Sequence, residues 1–125
     1  TKFEIPFYYR VLGKLNLLKF IPNSILRRVN SLTYLVFGAK TNAEKSLLED
    51  IVRKTDERFL KWALHQIMNW ENENYSENIV HIQGDSDLIL PHNFVKYDYL
   101  IKGGTHFMTF NQSKEIETII TENWL

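Results

Sequence analysis

The sequence predicts an α/β fold in which a run of amphipathic helices is followed by two short parallel strands and a closing helix. Three observations carry that reading. Residues 1–75 repeat apolar side chains at helical spacing between capping signals. Ile79–Gln83 and Tyr97–Lys102 are short, mostly apolar runs without clean polar alternation. Strands covered on both faces, as in parallel sheets, have that pattern. Residues 111–125 then return to helical spacing. The chain thus divides into a helical region over 1–75 and a strand-bearing region over 76–125, with no internal repeat or low-complexity tract.

Taken in order, Phe7–Phe20 carries Phe7, Tyr8, Val11, Leu12, Leu15, Leu18 and Phe20 at helix-like spacing, interrupted by Gly13. Pro22 ends that helix. Asn23 or Ser24 can cap a second one through Ile25, Leu26, Val29, Leu32 and Leu35, with Gly38 at the left-handed position beyond its end. Thr41-Asn42-Ala43-Glu44 has capping-box spacing ahead of Leu47, Leu48, Ile51 and Val52. Asp56 caps a fourth helix bearing Phe59, Leu60, Ala63, Leu64, Ile67 and Met68, which Trp70 and the polar run 71–74 close. The segment 84–96 between the strands leaves room for one turn over His92–Lys96, tight for a crossover that normally takes about a dozen residues. Asn111 or Ser113 opens the last helix, with Ile116, Ile119, Ile120 and Trp124 on its inner stripe.

Two parallel strands alone do not make a stable sheet. The far edge of the first strand would present unpaired backbone groups, which are costly when buried. Further polypeptide or a second copy of the chain is therefore expected over that edge. The chain also opens at Thr1 without an initiator Met, so it reads as beginning within a longer protein.

Composition removes several function classes. Fifteen basic and fifteen acidic side chains balance, which argues against a nucleic-acid binder working by phosphate neutralisation. The absence of cysteine excludes disulfides, thiolate nucleophiles and zinc–thiolate sites and fits a reducing compartment. No apolar stretch approaches the roughly 20 residues of a spanning helix, and no signal peptide is visible. Cytoplasmic placement is the default expectation. The adjacent pair Arg27-Arg28 reads as a solvated helix face. With 44% apolar and 24% charged residues the chain is ordinary for a globular protein able to build a core.

The chemistry-bearing pattern lies in the strand region. Ile79-Val80-His81-Ile82-Gln83-Gly84-Asp85-Ser86-Asp87 runs from a strand into a turn with two carboxylates, and Gly103-Gly104-Thr105-His106 follows the second strand. Side chains just past the carboxyl ends of parallel strands stand where open α/β folds bind ligands. A carboxylate there can accept the Nδ1 proton of a histidine and leave Nε2 free as a base. On residue types alone, Asp85 and Asp87 compete for that role. An Asp in a G-D-S-D turn also has the plain reading of bonding its own backbone, and a His after Gly-Gly that of a solvent-exposed side chain.

The motifs His81-Ile82-Gln83-Gly84-Asp85-Ser86-Asp87-Leu88-Ile89-Leu90-Pro91 and Ile101-Lys102-Gly103-Gly104-Thr105-His106-Phe107-Met108 resemble the last two strand ends of the α/β-hydrolase superfamily. The resemblance implies a Ser–His–Asp triad with Asp87 as the acid, His106 as the base and Asp85 in a supporting turn position. It implies that residues 1–75 form the helical cap over the pocket and that Asn111–Leu125 is the closing helix. Its implied activity is hydrolysis of an ester, thioester or similar apolar acyl substrate, without cofactor. Two departures stand out. The interval of nineteen residues from Asp87 to His106 is short, and no G-x-S-x-G nucleophile elbow occurs in these residues. The chain alone is therefore expected to be inactive, with nucleophile and oxyanion hole supplied by an N-terminal half.

The remaining candidates have plainer readings. His65, His81 and His92 show no metal-ligand spacing and read as packing histidines, with His92 close to the rim of the expected pocket. Phe3, Phe7, Tyr8, Tyr9, Phe20, Tyr34 and Phe37 read as the inner faces of cap helices. Trp62 and Trp70 are expected along one helix seam, and Phe107 and Met108 beneath the histidine turn. The alternative function is a non-catalytic small-molecule-binding or protein-interaction module on the same scaffold. A third possibility is a dimer formed by strand exchange.

Overall fold

The computed structural model describes residues 1–76 and 78–124, the last without its side chain. The described residues form seven α-helices and a two-stranded parallel sheet. The helices are α1 (Phe7–Lys14), α2 (Asn23–Leu26), α3 (Ser31–Phe37), α4 (Asn42–Lys54), α5 (Glu57–Met68), α6 (Met108–Asn111) and α7 (Ser113–Trp124). The strands are β1 (Ile82–Gly84) and β2 (Tyr99–Ile101), paired in parallel with Ile82 opposite Tyr99 and Gly84 opposite Ile101. Single 3-10 turns occupy Lys2–Glu4, Leu17–Phe20 and His92–Phe94. The chain is thus mixed α and β, mostly helical, and no described helix is long and apolar enough to cross a membrane.

Two expected helices are each split in two. The stretch Phe7–Phe20 breaks after Lys14 because Asn16 takes a left-handed conformation at φ 52°, which asparagine tolerates better than most residues. Gly13 is not the break. A methyl group there would come within 2.7 Å of the Met68 carbonyl, so the glycine lets α1 cross close to the end of α5. The second stretch breaks at Arg27–Asn30, because the Asn30 carboxamide accepts from Leu32 N (2.9 Å) and Thr33 N (3.1 Å) and starts α3 afresh. Neither Asn23 nor Ser24 caps α2; Pro22 holds that position without a side-chain bond. Arg27 is not a solvated face either. It bonds Glu57 Oε1 at 2.8 Å and the Arg53 carbonyl at 2.6 Å, tying α2 to both ends of the α4–α5 corner.

Other sequence signals act as read. Gly38 closes α3 at φ 76°, Thr41 and Glu44 form the capping box of α4, and Asp56 caps α5. The strands are shorter than expected, three residues each, and His81 falls just before β1 rather than within it. Of the expected inner stripe of α7, Ile116 and Ile119 are half-buried and Ile120 is exposed; the Trp124 side chain lies outside the described residues.

The buried core joins the two regions. Ala39 and Leu48 pack with Phe107, with Val29, Tyr34, Phe37, Leu47 and Val52 around them. Glu44 fastens the same seam: its Oε2 accepts from Lys40 N (2.6 Å) and Thr41 N (2.7 Å), and its Oε1 from the Asn111 amide (2.8 Å). Of the aromatics expected on inner faces, Tyr34 and Phe37 pack against this core, and most of the others do not. Phe7 and Phe20 are 68% and 71% exposed, and Phe3, Trp62 and Trp70 also face outward. Trp62 lies within α5 and Trp70 beyond its end, so they share no seam. The surface of 8774 Å² exceeds the value of about 7,000 Å² that folded monomers of this mass present.

Candidate functional site

Three hydrogen bonds, two of them backbone to backbone, clamp together the segments that follow the strands. Asp85 N donates to the Ile101 carbonyl (3.1 Å), Ser86 N to the Gly104 carbonyl (2.8 Å), and Gly103 N to Asp85 Oδ1 (2.7 Å). Such close approach requires glycine. A methyl group on Gly84 would run into the Gly104 carbonyl, and one on Gly104 would meet Gly84 Cα at 2.8 Å. Gly103 serves a different need, taking φ 71° so that the backbone can turn.

This clamp sets Asp87 beside His106. The imidazole Nδ1 lies 3.0 Å from Asp87 Oδ2. The other carboxylate oxygen accepts from Ile89 N (2.8 Å) and Leu90 N (3.0 Å), so the carboxylate is fixed from its own turn. Asp87 is 8% exposed, while His106 is 37% exposed. Burial pushes the Asp87 carboxyl up. The bond from His106, the Leu90 and Ile89 amides and the charge attraction of His106 outweigh that and hold it below the usual carboxylate range. An ionised carboxylate only accepts, so Nδ1 carries the proton and Nε2 offers a lone pair. Among the described residues nothing hydrogen-bonds Nε2.

Asp85 faces a different way. It accepts from Ser86 Oγ (2.8 Å) and from Gly103 N, which hold its carboxyl low in that order. Its backbone carbonyl lies 3.2 Å from His92 Nδ1, and His92 stands edge-on to Tyr97. Gln83, buried beneath, donates from Nε2 to the Leu90 carbonyl at 2.7 Å and steadies the loop that carries Asp87.

Neighbours that the sequence reading did not assign to the site complete it. Phe37, at the end of α3, meets the His106 ring edge-on at 5.6 Å. Gly38 then lies so close on Thr105 that any side chain there would collide with the Thr105 methyl and hydroxyl. Tyr9 of α1 lies near Asp87: burial, then Tyr8, then the Asp87 charge push its phenol up. These contacts join residues far apart in the chain, and no local motif marks them. Phe107 is buried beneath the histidine turn and Met108 half-buried beside it. Among the described residues no group of three or more His, Asp or Glu side chains is placed to hold a metal ion.

Comparison with protein-family models, with curated proteins and with solved structures finds no significant match.

Proposed function

We propose that Asp87 and His106 are the acid and base of a Ser–His–Asp hydrolase of the α/β-hydrolase type, acting on an ester, thioester or similar apolar acyl substrate. The nucleophile and oxyanion hole come from polypeptide outside these 125 residues, because no G-x-S-x-G elbow occurs within them. The observation that carries the reading is the 3.0 Å Asp87–His106 bond at the carboxyl ends of two parallel strands, with Nε2 left unbonded. In that role Nε2 takes the proton of the attacking hydroxyl, Asp87 stabilises the imidazolium, and His106 returns the proton to the leaving group. The sheet edges, without a further strand among the described residues, and the outward-facing aromatics supply the surface against which the nucleophile-bearing half would pack.

The test uses the protein purified in native form from its source, treated with a fluorophosphonate probe and with nitrophenyl acyl esters. Labelling is expected on a serine outside residues 1–125 and is expected to vanish in His106→Ala. Labelling that persists in His106→Ala would remove His106 as the base, and none in the native protein would leave the scaffold a binding module.

A further inference from the structure

The helical region carries a groove that the Asp87–His106 pair does not use. It lies between the Leu17–Phe20 turn and α5 and encloses about 350 Å³, within the size range of small-ligand sites. Arg58, Lys61 and His65 recur at i, i+3 and i+7 along α5, so one face of that helix presents all three to the groove. Lys19 adds a fourth basic side chain from the facing turn. Among the described residues no carboxylate lines the groove, in a chain whose acidic and basic side chains balance. Basic groups gathered without a counter-ion repel one another, and an anion bound between them relieves that repulsion.

The individual side chains suit a phosphate on a flat heterocycle. Lys61 Nζ donates to the Ile21 carbonyl at 3.0 Å and, more loosely, to that of Lys19, so the ammonium is held in place with a third donor to spare. Arg58 makes no ion pair among the described residues, and its planar fork matches phosphate oxygens two at a time. Trp62, 58% exposed, lines the same groove beside these cations and offers an aromatic face for stacking. Asn16 and Asn23 contribute amides able both to donate and to accept, as recognition of a heterocycle edge requires.

We infer that this groove binds a nucleoside monophosphate, its phosphate on Arg58, Lys61 and Lys19 and its base against Trp62. No residue is shared with the Asp87–His106 pair, so this site stands or falls independently of the hydrolase reading.

Adenosine 5′-monophosphate, adenosine and inorganic phosphate are titrated separately into the protein at low salt. Backbone amide shifts are followed in the wild type, and Trp62 fluorescence in a Trp70→Phe/Trp124→Phe background. The nucleotide is expected to saturate, to quench Trp62 and to shift amides over 16–23 and 58–65, binding more tightly than phosphate or adenosine and more weakly as salt rises. Arg58→Glu should weaken it at least about tenfold, with circular dichroism and Tm unchanged because Arg58 is exposed and unpaired. No saturation by about 10 mM nucleotide, affinity unaltered in Arg58→Glu, or inorganic phosphate binding as tightly as the nucleotide would each overturn the assignment.

Discussion

Asp87 has two jobs that separate cleanly in two variants. Its Oδ1 holds the Ile89 and Leu90 amides and its Oδ2 holds His106 Nδ1. Asp87→Ala removes both acceptor oxygens and leaves three donors without that partner. A buried donor left unpaired costs about 1–3 kcal/mol, and these two amides are partly buried, so a loss of about 2–4 kcal/mol of stability is expected. Asp87→Asn keeps one carbonyl oxygen, which can stay on the two amides. Its NH2 then meets Nδ1, and only a lone pair can accept it, so the imidazole proton moves to Nε2. The loss of the charge-assisted bond alone should cost about 1 kcal/mol. Urea unfolding reads the stabilities. Long-range proton–nitrogen correlation on the neutral imidazole reads the tautomer. The wild type is expected to be protonated on Nδ1 and Asp87→Asn on Nε2. An Asn variant that keeps its proton on Nδ1, or an Ala variant as stable as wild type, would refute the hydrogen-bonding scheme on which the site rests.

Other expectations follow from the same geometry. In the native protein with its nucleophile, His106→Ala should lower kcat by roughly 10⁵-fold and Asp87→Ala by roughly 10⁴-fold with KM little changed; steady-state ester hydrolysis measures both, and unaltered turnover in Asp87→Ala would remove the acid from the mechanism. Gly84→Ala drives a methyl group into backbone and should cost about 3 kcal/mol or more. Gly103→Ala meets open space and should cost only about 1 kcal/mol for its left-handed φ, so equal urea midpoints for the two would contradict the clamp. Burial pushes Glu44 up, but the Thr41 amide, the Asn111 amide and the Lys40 amide hold its carboxyl below 4.5. Its stabilisation is therefore complete above that pH and lost as pH falls through the lower folded value. Glu44→Gln should be less stable than wild type by about 1–2 kcal/mol at pH 7, and the difference should close as the solution is acidified; a gap that widens in acid would reverse the sign.

The local signals in this sequence are the ones that translate into structure without help from distant residues. Thr41, Asp56 and Gly38 act within one turn of themselves, and the capping box, the cap and the left-handed stop all form where the spacing puts them. The juxtaposition of Asp87 and His106 was legible for a related reason. Each follows a strand by a few residues, and parallel pairing carries both to the same edge. The failures are of two kinds, local competition with the helix ladder and contacts with distant residues. Asn16 and Asn30 break helices whose apolar spacing continues straight through them, because a side chain or a left-handed φ competes with the backbone ladder. Gly13 looked like an interruption and is a crossing point, which depends on Met68 more than fifty residues away. Apolar spacing says that a face is to be covered and is silent on what covers it. Phe7 and Phe20 therefore read as core yet stand exposed in this chain.

That distinction bears on how Asp87 should be weighed against Asp85, since both sit in the same G-D-S-D turn and both accept a backbone amide. Asp85 gathers its side-chain bonds on one oxygen, Oδ1, which accepts from the neighbouring Ser86 Oγ and from Gly103 N of the facing turn. Asp87 instead commits one oxygen to two amides and directs the other to a histidine nineteen residues away. A buried carboxylate with one oxygen unpaired would pay heavily for desolvation, and a neutral hydroxyl or amide could have met the two amides more cheaply. In keeping with the base role proposed for His106, imidazolium is the state that a fixed carboxylate stabilises most. His106 is 37% exposed, and among the described residues nothing hydrogen-bonds its Nε2. The geometry of the two aspartates thus assigns the turn to one and the histidine to the other.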